Sequence, residues 1–279
     1  MSAASPGGAK RRRWWRRLVL GLILLVVPGY PLAVWLGMPP SWPLDVTLTL
    51  GSAGVVEHDR ELTPPDDGRR RLVVLQHGLW RSPWALTRLE RELEARGYEV
   101  LNPGYPSTQA RIEEHALRLH DAIEAAYAAG SVDEFYLVGH SMGGLVLQQY
   151  LRGEAARAPD ACVFLGVPHR GALLCDLRKN WWVFELFMGD QAAMQLSPGD
   201  PFHEQAIEVP GLCGTVVGDV GEGNQSVPGN DDGTVAVGEA TLADADDSVV
   251  LRVGHSQLPR SGEVIRQVLY FLREGKFAD

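Results

Sequence analysis

A single serine stands between two glycines directly after an apolar, β-branched run, in the stretch LVGHSMGG that covers residues 137–144. The pattern Gly-x-Ser-x-Gly places Gly139 and Gly143 on either side of Ser141. Glycine has no Cβ, so a strand and the helix that follows it can approach closely at both flanks. The pattern predicts a sharp strand-to-helix turn that holds Ser141 in a strained conformation, with its hydroxyl raised above the sheet. An ordinary serine in a βα loop is the alternative.

Short apolar runs alternate with longer amphipathic stretches from residue 72 onward. Buried strands are predicted at LVVLQ, YEVLNP, EFYLVG, ACVFLGVP, LCGTVVGD and SVVLRVG. Helices are predicted between and after them, at residues 84–96, 111–129, 142–151 and 263–273. This alternation indicates an α/β fold with a mostly parallel central sheet covered by helices on both faces. The segment DVTLTL near residue 45 favours an antiparallel edge strand, and residues 41–279 are interpreted as one domain.

Residues 1–40 combine a basic N-terminus with an apolar segment. Residues 18–38 contain no charge, and as a helix they would span about 31 Å, close to the hydrocarbon thickness of a bilayer. The basic residues before the segment favour retention of that end in the cytoplasm. We expect an uncleaved inner-membrane anchor with the rest of the chain in the periplasm. The alternative is a signal peptide whose apolar region is residues 18–27 and which is cut shortly afterwards, to release a periplasmic or secreted protein.

The chain beyond this N-terminus is strongly acidic. The full chain has 26 basic residues, and six of them precede residue 18, whereas no acidic residue does. The residues after position 17 therefore carry 20 basic against 35 acidic side chains, a net charge of −15. Because phosphate contacts need a basic surface, this charge excludes nucleic acid as a partner. The three cysteines, Cys162, Cys175 and Cys213, allow at most one disulfide. We expect mainly buried thiols, because Cys162 and Cys213 each lie in an apolar run typical of a buried strand. No spacing of potential ligands resembles a metal site.

A serine nucleophile needs a base, and the base needs a group that orients it. Among eight histidines, His255 alone lies just after the last predicted strand and before the last helix. Asp231 and Asp232 follow an earlier strand in a glycine-rich loop, and of these we favour Asp232, directly before Gly233, as the orienting carboxylate. The weaker candidates are Asp219 for the orienting carboxylate and His140 for the base. We expect the His140 side chain to pack beneath the turn.

The same chemistry needs two donors for the oxyanion of a tetrahedral intermediate. The backbone N–H of Met142, the residue after the nucleophile, is one candidate. The second candidate is the N–H of Leu79, because His77 and Gly78 turn the backbone after the strand LVVLQ. Trp80, in the same loop, is assigned to substrate binding.

The chain resembles the bacterial lipases and esterases of the α/β-hydrolase superfamily. The resemblance covers roughly residues 72–277 and rests on LVVLQHGLWRSPWALTRLERELEARGYEVLNPGYPS, LVGHSMGG, GVPHRGA, NDDGTVAV and VGHS. It implies an α/β-hydrolase fold and a Ser-His-Asp acyl-enzyme mechanism without cofactor or metal. The chain order Ser141, Asp232, His255 also follows that of the family.

One region departs from the resemblance, because the segment CDLRKNWWVFELFMGDQAAM cannot be matched to the family. It lies where cap insertions of this fold occur, and we expect a small apolar cap at about residues 172–207. Six large apolar side chains fall within residues 181–188, which is more than one core face needs. The candidate substrate contacts are Trp181, Trp182, Phe184 and Phe187; a buried packing helix is the alternative.

These features predict a monomeric serine hydrolase that cleaves carboxylic esters, with fatty acyl chains favoured by the apolar cap and the membrane segment. An acyltransferase or thioesterase would use the same acyl-enzyme and leaves no separate mark in the sequence. A non-catalytic, membrane-tethered binding protein is the alternative from another class, and the retention of all three triad residues argues against it.

Overall fold

The computed structural model describes residues 62–178, 191–222, 224 and 226–278. Six strands lie in this part of the chain: β1 (Arg71–Gln76), β2 (Glu99–Leu101), β3 (Glu134–His140), β4 (Ala161–Leu165), β5 (Leu212–Gly218) and β6 (Asp247–Leu251). They form one sheet in the order β2-β1-β3-β4-β5-β6, and every pair of neighbours is parallel. The predicted α/β class with a parallel sheet is therefore confirmed. The DVTLTL segment lies outside the described residues.

Seven helices lie between and after these strands in the described part of the chain. They are α1 (Thr87–Glu94), α2 (Ile112–Ala128), α3 (Met142–Leu151), α4 (Leu173–Arg178), α5 (Ala192–Gln195), α6 (Val237–Ala240) and α7 (Gly262–Glu274). Short 3₁₀ turns occur at Pro83–Ala85, Pro201–Glu204 and His255–Arg260. The helix predicted over residues 84–96 is shorter than expected, because the chain first makes the 3₁₀ turn that begins at Pro83.

Two hydrophobic layers enclose the sheet. Alternate strand residues face opposite sides, so Val73 and Leu75 pack with α1 and α7, whereas Leu72 and Val74 pack with α2 and α3. All six residues of β1 are buried, as expected for a strand covered on both faces. Burial of each large aliphatic side chain contributes roughly 1.5–3 kcal/mol, so these layers hold the sheet rigidly beneath the loops at its edge.

None of the three cysteines of this framework is part of a disulfide. Cys162 on β4 is the register partner of Cys213 on β5, and both side chains are buried, whereas Cys175 is partly exposed. Burial raises the pKa of the Cys213 thiol to about 12 and raises that of Cys162 as well. Both thiols therefore stay protonated and act as small apolar groups.

Because the strands are parallel, their carboxyl ends meet at one edge of the sheet. The loops after β1, β3, β5 and β6 all leave from this edge, and they carry the residues predicted from the sequence to be catalytic. The N-terminal segment at residues 1–40 lies outside the described residues. Within the described part of the chain, no helix is both long and apolar enough to cross a membrane.

Candidate active site

Ser141 occupies the turn between β3 and α3 in a strained backbone conformation. Its φ and ψ are 55° and −132°, and it is one of two non-glycine residues with positive φ in the described part of the chain; the other is Trp80. Such a conformation costs about 1–3 kcal/mol and persists only where the surroundings enforce it. Here the Ser141 N–H donates to the Leu165 carbonyl at 3.0 Å and the Ser141 carbonyl accepts from Gly144.

The glycines around Ser141 are required by close backbone contacts. A Cβ on Gly139 would lie 2.6 Å from the Gly144 Cα, and a Cβ on Gly143 would lie 2.1 Å from the carbonyl oxygen of Gln76. Both contacts are with backbone, which cannot swing aside. The start of α3 is thus pressed against β3 and the end of β1, and this contact fixes the direction in which Ser141 points.

Ser141, His255 and Asp232 form a continuous hydrogen-bonded chain. The His255 Nε2 lies 2.9 Å from the Ser141 Oγ, and the His255 Nδ1 lies 2.6 Å from the Asp232 Oδ2. A carboxylate only accepts hydrogen bonds, so the proton of neutral His255 is on Nδ1 and the Nε2 lone pair faces the serine hydroxyl. This arrangement lets His255 take a proton from Ser141.

The Asp232 carboxylate is held by the backbone of its own loop. Its Oδ1 accepts from the N–H groups of Val235 at 2.7 Å and Thr234 at 3.0 Å, which leaves Oδ2 for His255. The side chain is almost fully buried, and the His255 N–H also donates to the Asp232 carbonyl at 2.8 Å. Backbone and side chain of Asp232 thus both bind the residue that it orients.

The two competing carboxylates have other partners. Asp231 is fully buried, and its carboxylate accepts from the N–H groups of Gly233 at 2.5 Å and Asn224 at 3.0 Å. Asp219 accepts from Gly221 N at 2.7 Å and from Asn230 Nδ2 at 2.9 Å. Both therefore organise the loop after β5, and the structure brings Asp232 to the histidine.

His140 lies beneath the site, as the sequence led us to expect. Its Nε2 donates to the His255 carbonyl at 3.0 Å, and the two ring centroids are 4.9 Å apart. Burial lowers the pKa of His140 well below its ordinary value, so the ring is neutral. It supports the loop that carries His255 and has no contact that would make it a base for Ser141.

The loop after β1, residues 77–81, runs beside Ser141 and is called the oxyanion loop here. A Cβ on Gly78 would lie 2.9 Å from the Ser141 Cβ, so only glycine fits there. The His77 Nδ1–H donates to the Gly78 carbonyl at 3.0 Å. Leu79 follows, and its N–H and that of Met142, the first residue of α3, stay the predicted oxyanion donors.

The fold and this site agree with a comparison against known families. A model described as the alpha/beta hydrolase family matches residues 72–260, which is more than half of the chain. The chain belongs to the α/β hydrolase family.

Solved structures of similar fold include two bacterial proteins. The mature form of the lipase BlEst2 from Bacillus licheniformis aligns with a TM-score of 0.56 and 20% identity, over 79% of this chain and 96% of that one. A gene product from Listeria innocua aligns with a TM-score of 0.52 and 18% identity, over 74% of this chain and 94% of that one. At these identities the likeness shows the fold. Comparison with curated proteins gives no match.

Several residues that sequence analysis missed hold the loops of this α/β hydrolase together. Arg81, in the oxyanion loop, donates from Nη2 to the Oγ of Ser256, next to His255, at 2.6 Å. Ser107 accepts from the Trp80 N–H at 2.9 Å, and the Tyr105 hydroxyl donates to the His77 carbonyl at 2.6 Å. No local pattern marks these residues, because their partners are 27 to 175 positions away in the chain.

Of the residues predicted to contact the substrate, the structure describes Trp80. Trp80 is half-buried and directly follows the Leu79 donor, with φ at 61°. The four aromatic residues predicted for the cap, Trp181, Trp182, Phe184 and Phe187, lie outside the described residues. The flanking helices α4 and α5 are described, and Ser197 beside α5 donates to Asp176 in α4 at 2.5 Å. In the described ranges, no group of side chains is arranged to hold a metal ion.

Proposed function

We propose that this α/β hydrolase is a serine hydrolase that cleaves carboxylic esters through an acyl-enzyme. One observation carries the proposal: a serine in a strained turn is hydrogen-bonded to a histidine that is in turn bonded to a buried carboxylate. The hydrogen bonds orient the three side chains as nucleophilic catalysis needs. A protein without catalytic activity would not require a strained backbone conformation at Ser141.

The proposed reaction begins when the Ser141 Oγ attacks the ester carbonyl carbon and His255 Nε2 takes the hydroxyl proton. The carbonyl oxygen becomes an oxyanion that accepts hydrogen bonds from the Met142 and Leu79 N–H groups. When the C–O bond breaks, His255 donates the proton to the leaving alcohol. Water then attacks the acyl-Ser141 ester while His255 takes a proton from it; the bond between the acyl carbon and Ser141 Oγ breaks, His255 returns the proton to Oγ, and the carboxylic acid is released. Asp232 stabilises the imidazolium in both steps.

Esters with fatty acyl chains are the substrate class that we propose. The support is the cluster of apolar side chains in residues 181–188 and the uncharged run at residues 18–38. One structural neighbour above is described as a lipase. An acyltransferase or thioesterase would share the acyl-enzyme, and analysis of the products in the presence of an alcohol acceptor separates these activities.

The test is a panel of aryl esters from acetyl to palmitoyl, with fluorophosphonate labelling of the full-length protein in detergent. We expect hydrolysis and labelling, and a loss of about 10³-fold or more for Ser141→Ala, because donors and binding alone leave only residual catalysis. Ser248→Ala is the matched control and should keep full activity, because this serine lies near the amino end of β6, where its hydroxyl bonds the Thr215 Oγ1 at 2.6 Å. Comparable turnover by Ser141→Ala would refute the mechanism, and absence of both labelling and hydrolysis would favour a binding protein.

We also propose that residues 18–38 anchor the enzyme in the inner membrane with the catalytic domain in the periplasm. The support is the uncharged run preceded by six basic residues. After alkaline carbonate washing, an anchored enzyme stays in the membrane pellet and keeps its original N-terminus. Recovery from the periplasmic fraction with a new N-terminus between residues 28 and 42 would instead identify a cleaved signal peptide.

A further inference from the structure

The segment between β2 and α2, residues 102–111, packs against the oxyanion loop and is called the buttress loop here. Its two contacts with the oxyanion loop fall on either side of Leu79. The Tyr105 hydroxyl donates to the His77 carbonyl at 2.6 Å, and the Ser107 Oγ accepts from the Trp80 N–H at 2.9 Å. The peptide group that carries the Leu79 N–H therefore lies between two peptide groups that the buttress loop holds.

The first contact sets the direction of that peptide group through His77. The Tyr105 ring stacks on the His77 ring, with centroids 4.2 Å apart and an angle of 24° between the planes. His77, so placed, donates from Nδ1 to the Gly78 carbonyl at 3.0 Å. In a planar trans peptide the carbonyl and the following N–H point in opposite directions, so fixing the Gly78 oxygen also fixes the Leu79 N–H.

The protonation states suit this arrangement. Burial lowers the pKa of His77 to about 4, so the ring is neutral and its single proton lies on the nitrogen that faces the Gly78 carbonyl. Burial also raises the pKa of Tyr105, which keeps its hydroxyl protonated as a donor. The Tyr105 ring also makes an edge-to-face contact with the buried His115 ring, with centroids 4.6 Å apart. Packing against both rings restricts rotation of Tyr105.

The second contact holds a backbone conformation that a tryptophan rarely adopts. Trp80 has φ at 61°, a region that favours glycine. Its N–H is turned toward Ser107, which is completely buried, so water does not compete for this hydrogen bond. Without the Ser107 hydroxyl, Trp80 would lose a hydrogen bond that helps to hold its strained backbone in place.

We infer that Tyr105 and Ser107 are positioning residues that aim the Leu79 N–H at the oxyanion before the substrate arrives. The inference rests on the proposed function, because it concerns the same reaction. Donors that are already aligned need no reorganisation as charge develops in the transition state, and this alignment is what makes an oxyanion hole effective. Neither residue contacts the reacting atoms; both act through the backbone of the oxyanion loop.

The test compares Tyr105→Phe and Ser107→Ala with the wild type in full-length protein. Tyr105→Phe keeps the stacked ring and removes only the hydroxyl. We expect kcat to fall about 10-fold in each variant with KM within about twofold of wild type, because the lost interaction acts in the transition state. Binding of an alkyl trifluoromethyl ketone, whose adduct with Ser141 places an oxyanion in the hole, should weaken by a similar factor.

Tyr150→Phe is the matched control, because the Tyr150 hydroxyl also bonds a backbone group, the Arg157 N–H at 2.9 Å, but lies at the far end of α3. It should leave kcat unchanged even if thermal stability falls. Tyr105→Phe and Ser107→Ala variants that lose stability while kcat and ketone affinity stay within about twofold of wild type would overturn the inference.

Failure of the proposed function can be distinguished experimentally from failure of this inference. If the wild type hydrolysed no ester, the proposed function would fail. The rate of fluorophosphonate labelling of Ser141 would then test the positioning role, because the attacked phosphoryl oxygen needs the same donors. Labelling about 10-fold slower in Tyr105→Phe and Ser107→Ala would support the inference, whereas equal rates, or no labelling of the wild type, would overturn it.

Discussion

At the scale of single residues, two adjacent aspartates with the same chemistry have different roles because the backbone turns them in different directions. Among the described residues, the Asp231 carboxylate accepts from backbone N–H groups of its own loop, at Gly233 and Asn224. Asp232 divides its oxygens between the loop backbone and His255. The first carboxylate stabilises the loop, and the second orients the proposed base.

We therefore predict that Asp232→Asn and Asp231→Asn fail in different ways. Asparagine at position 232 would present an amide N–H or a weaker acceptor to His255, so kcat should fall by about 10²–10⁴-fold. At position 231 the amide cannot accept as well from two N–H groups, so the melting temperature should fall more than kcat does. Steady-state kinetics and thermal denaturation on both variants measure this split, and greater kinetic sensitivity at Asp231 would reverse our assignment.

At the scale of secondary-structure elements, the start of α2 depends on a side chain from another part of the chain. The first N–H groups of a helix lack partners within the helix. Here the Ile112 N–H donates to the Oε1 of Gln195 at 2.8 Å, although Gln195 lies 83 positions later, in α5. The Gln195 Nε2 donates to Glu113 at 2.9 Å, and the side chain is fully buried. This contact joins the region after residues 179–190 to the body of the fold.

Gln195→Ala is predicted to lower the free energy of unfolding by about 1–3 kcal/mol, because the Ile112 N–H would be buried without an acceptor. Urea denaturation measures the change. Gln191→Ala, four residues earlier in the same segment and half-exposed, is the control that should leave stability nearly unchanged. Equal stability of Gln195→Ala and wild type would mean that α2 does not depend on this cap.

At the scale of the whole molecule, several histidines are folded into the interior in neutral form. Burial lowers the pKa of His77 to about 4 and that of His169 to about 3, and lowers that of His140 well below its ordinary value. In the unfolded chain these groups titrate near their ordinary pKa of about 6.5. Between these values the unfolded state binds more protons than the native state, so stability decreases as the pH falls below about 6.5.

Each such histidine should contribute a loss of up to about 1.4 kcal/mol per pH unit in this window. Urea denaturation at a series of pH values from about 7.5 to 5 would show the slope. His169→Gln removes one titrating group, so its slope should be shallower whatever its absolute stability. If the pH dependence of the free energy of unfolding were unchanged in His169→Gln, His169 would have the same pKa in the folded and unfolded states, contrary to this prediction.

The sequence by itself was sufficient to predict the fold class and the strained strand-to-helix turn at Ser141. Burial periodicity and the conformational freedom of glycine are properties of short segments, so the strands and the turn at Ser141 could be predicted without knowledge of any distant contact. The chain order of serine, acid and histidine then placed all three at the carboxyl edge of a parallel sheet. The structure has the helices and strands near the predicted positions, with differences at their ends.

Only the tertiary structure decided which groups meet at that edge. The choice between Asp231 and Asp232 depends on the path of one loop, and the contacts of Tyr105, Ser107 and Gln195 join segments that are far apart in the chain. A hydrogen bond forms only when two segments meet at about 3 Å with suitable angles, and residue type alone does not encode that meeting. Periodicity is a local property that the sequence displays directly, whereas the distances that orient a catalytic group exist only once the whole sheet and its loops have packed.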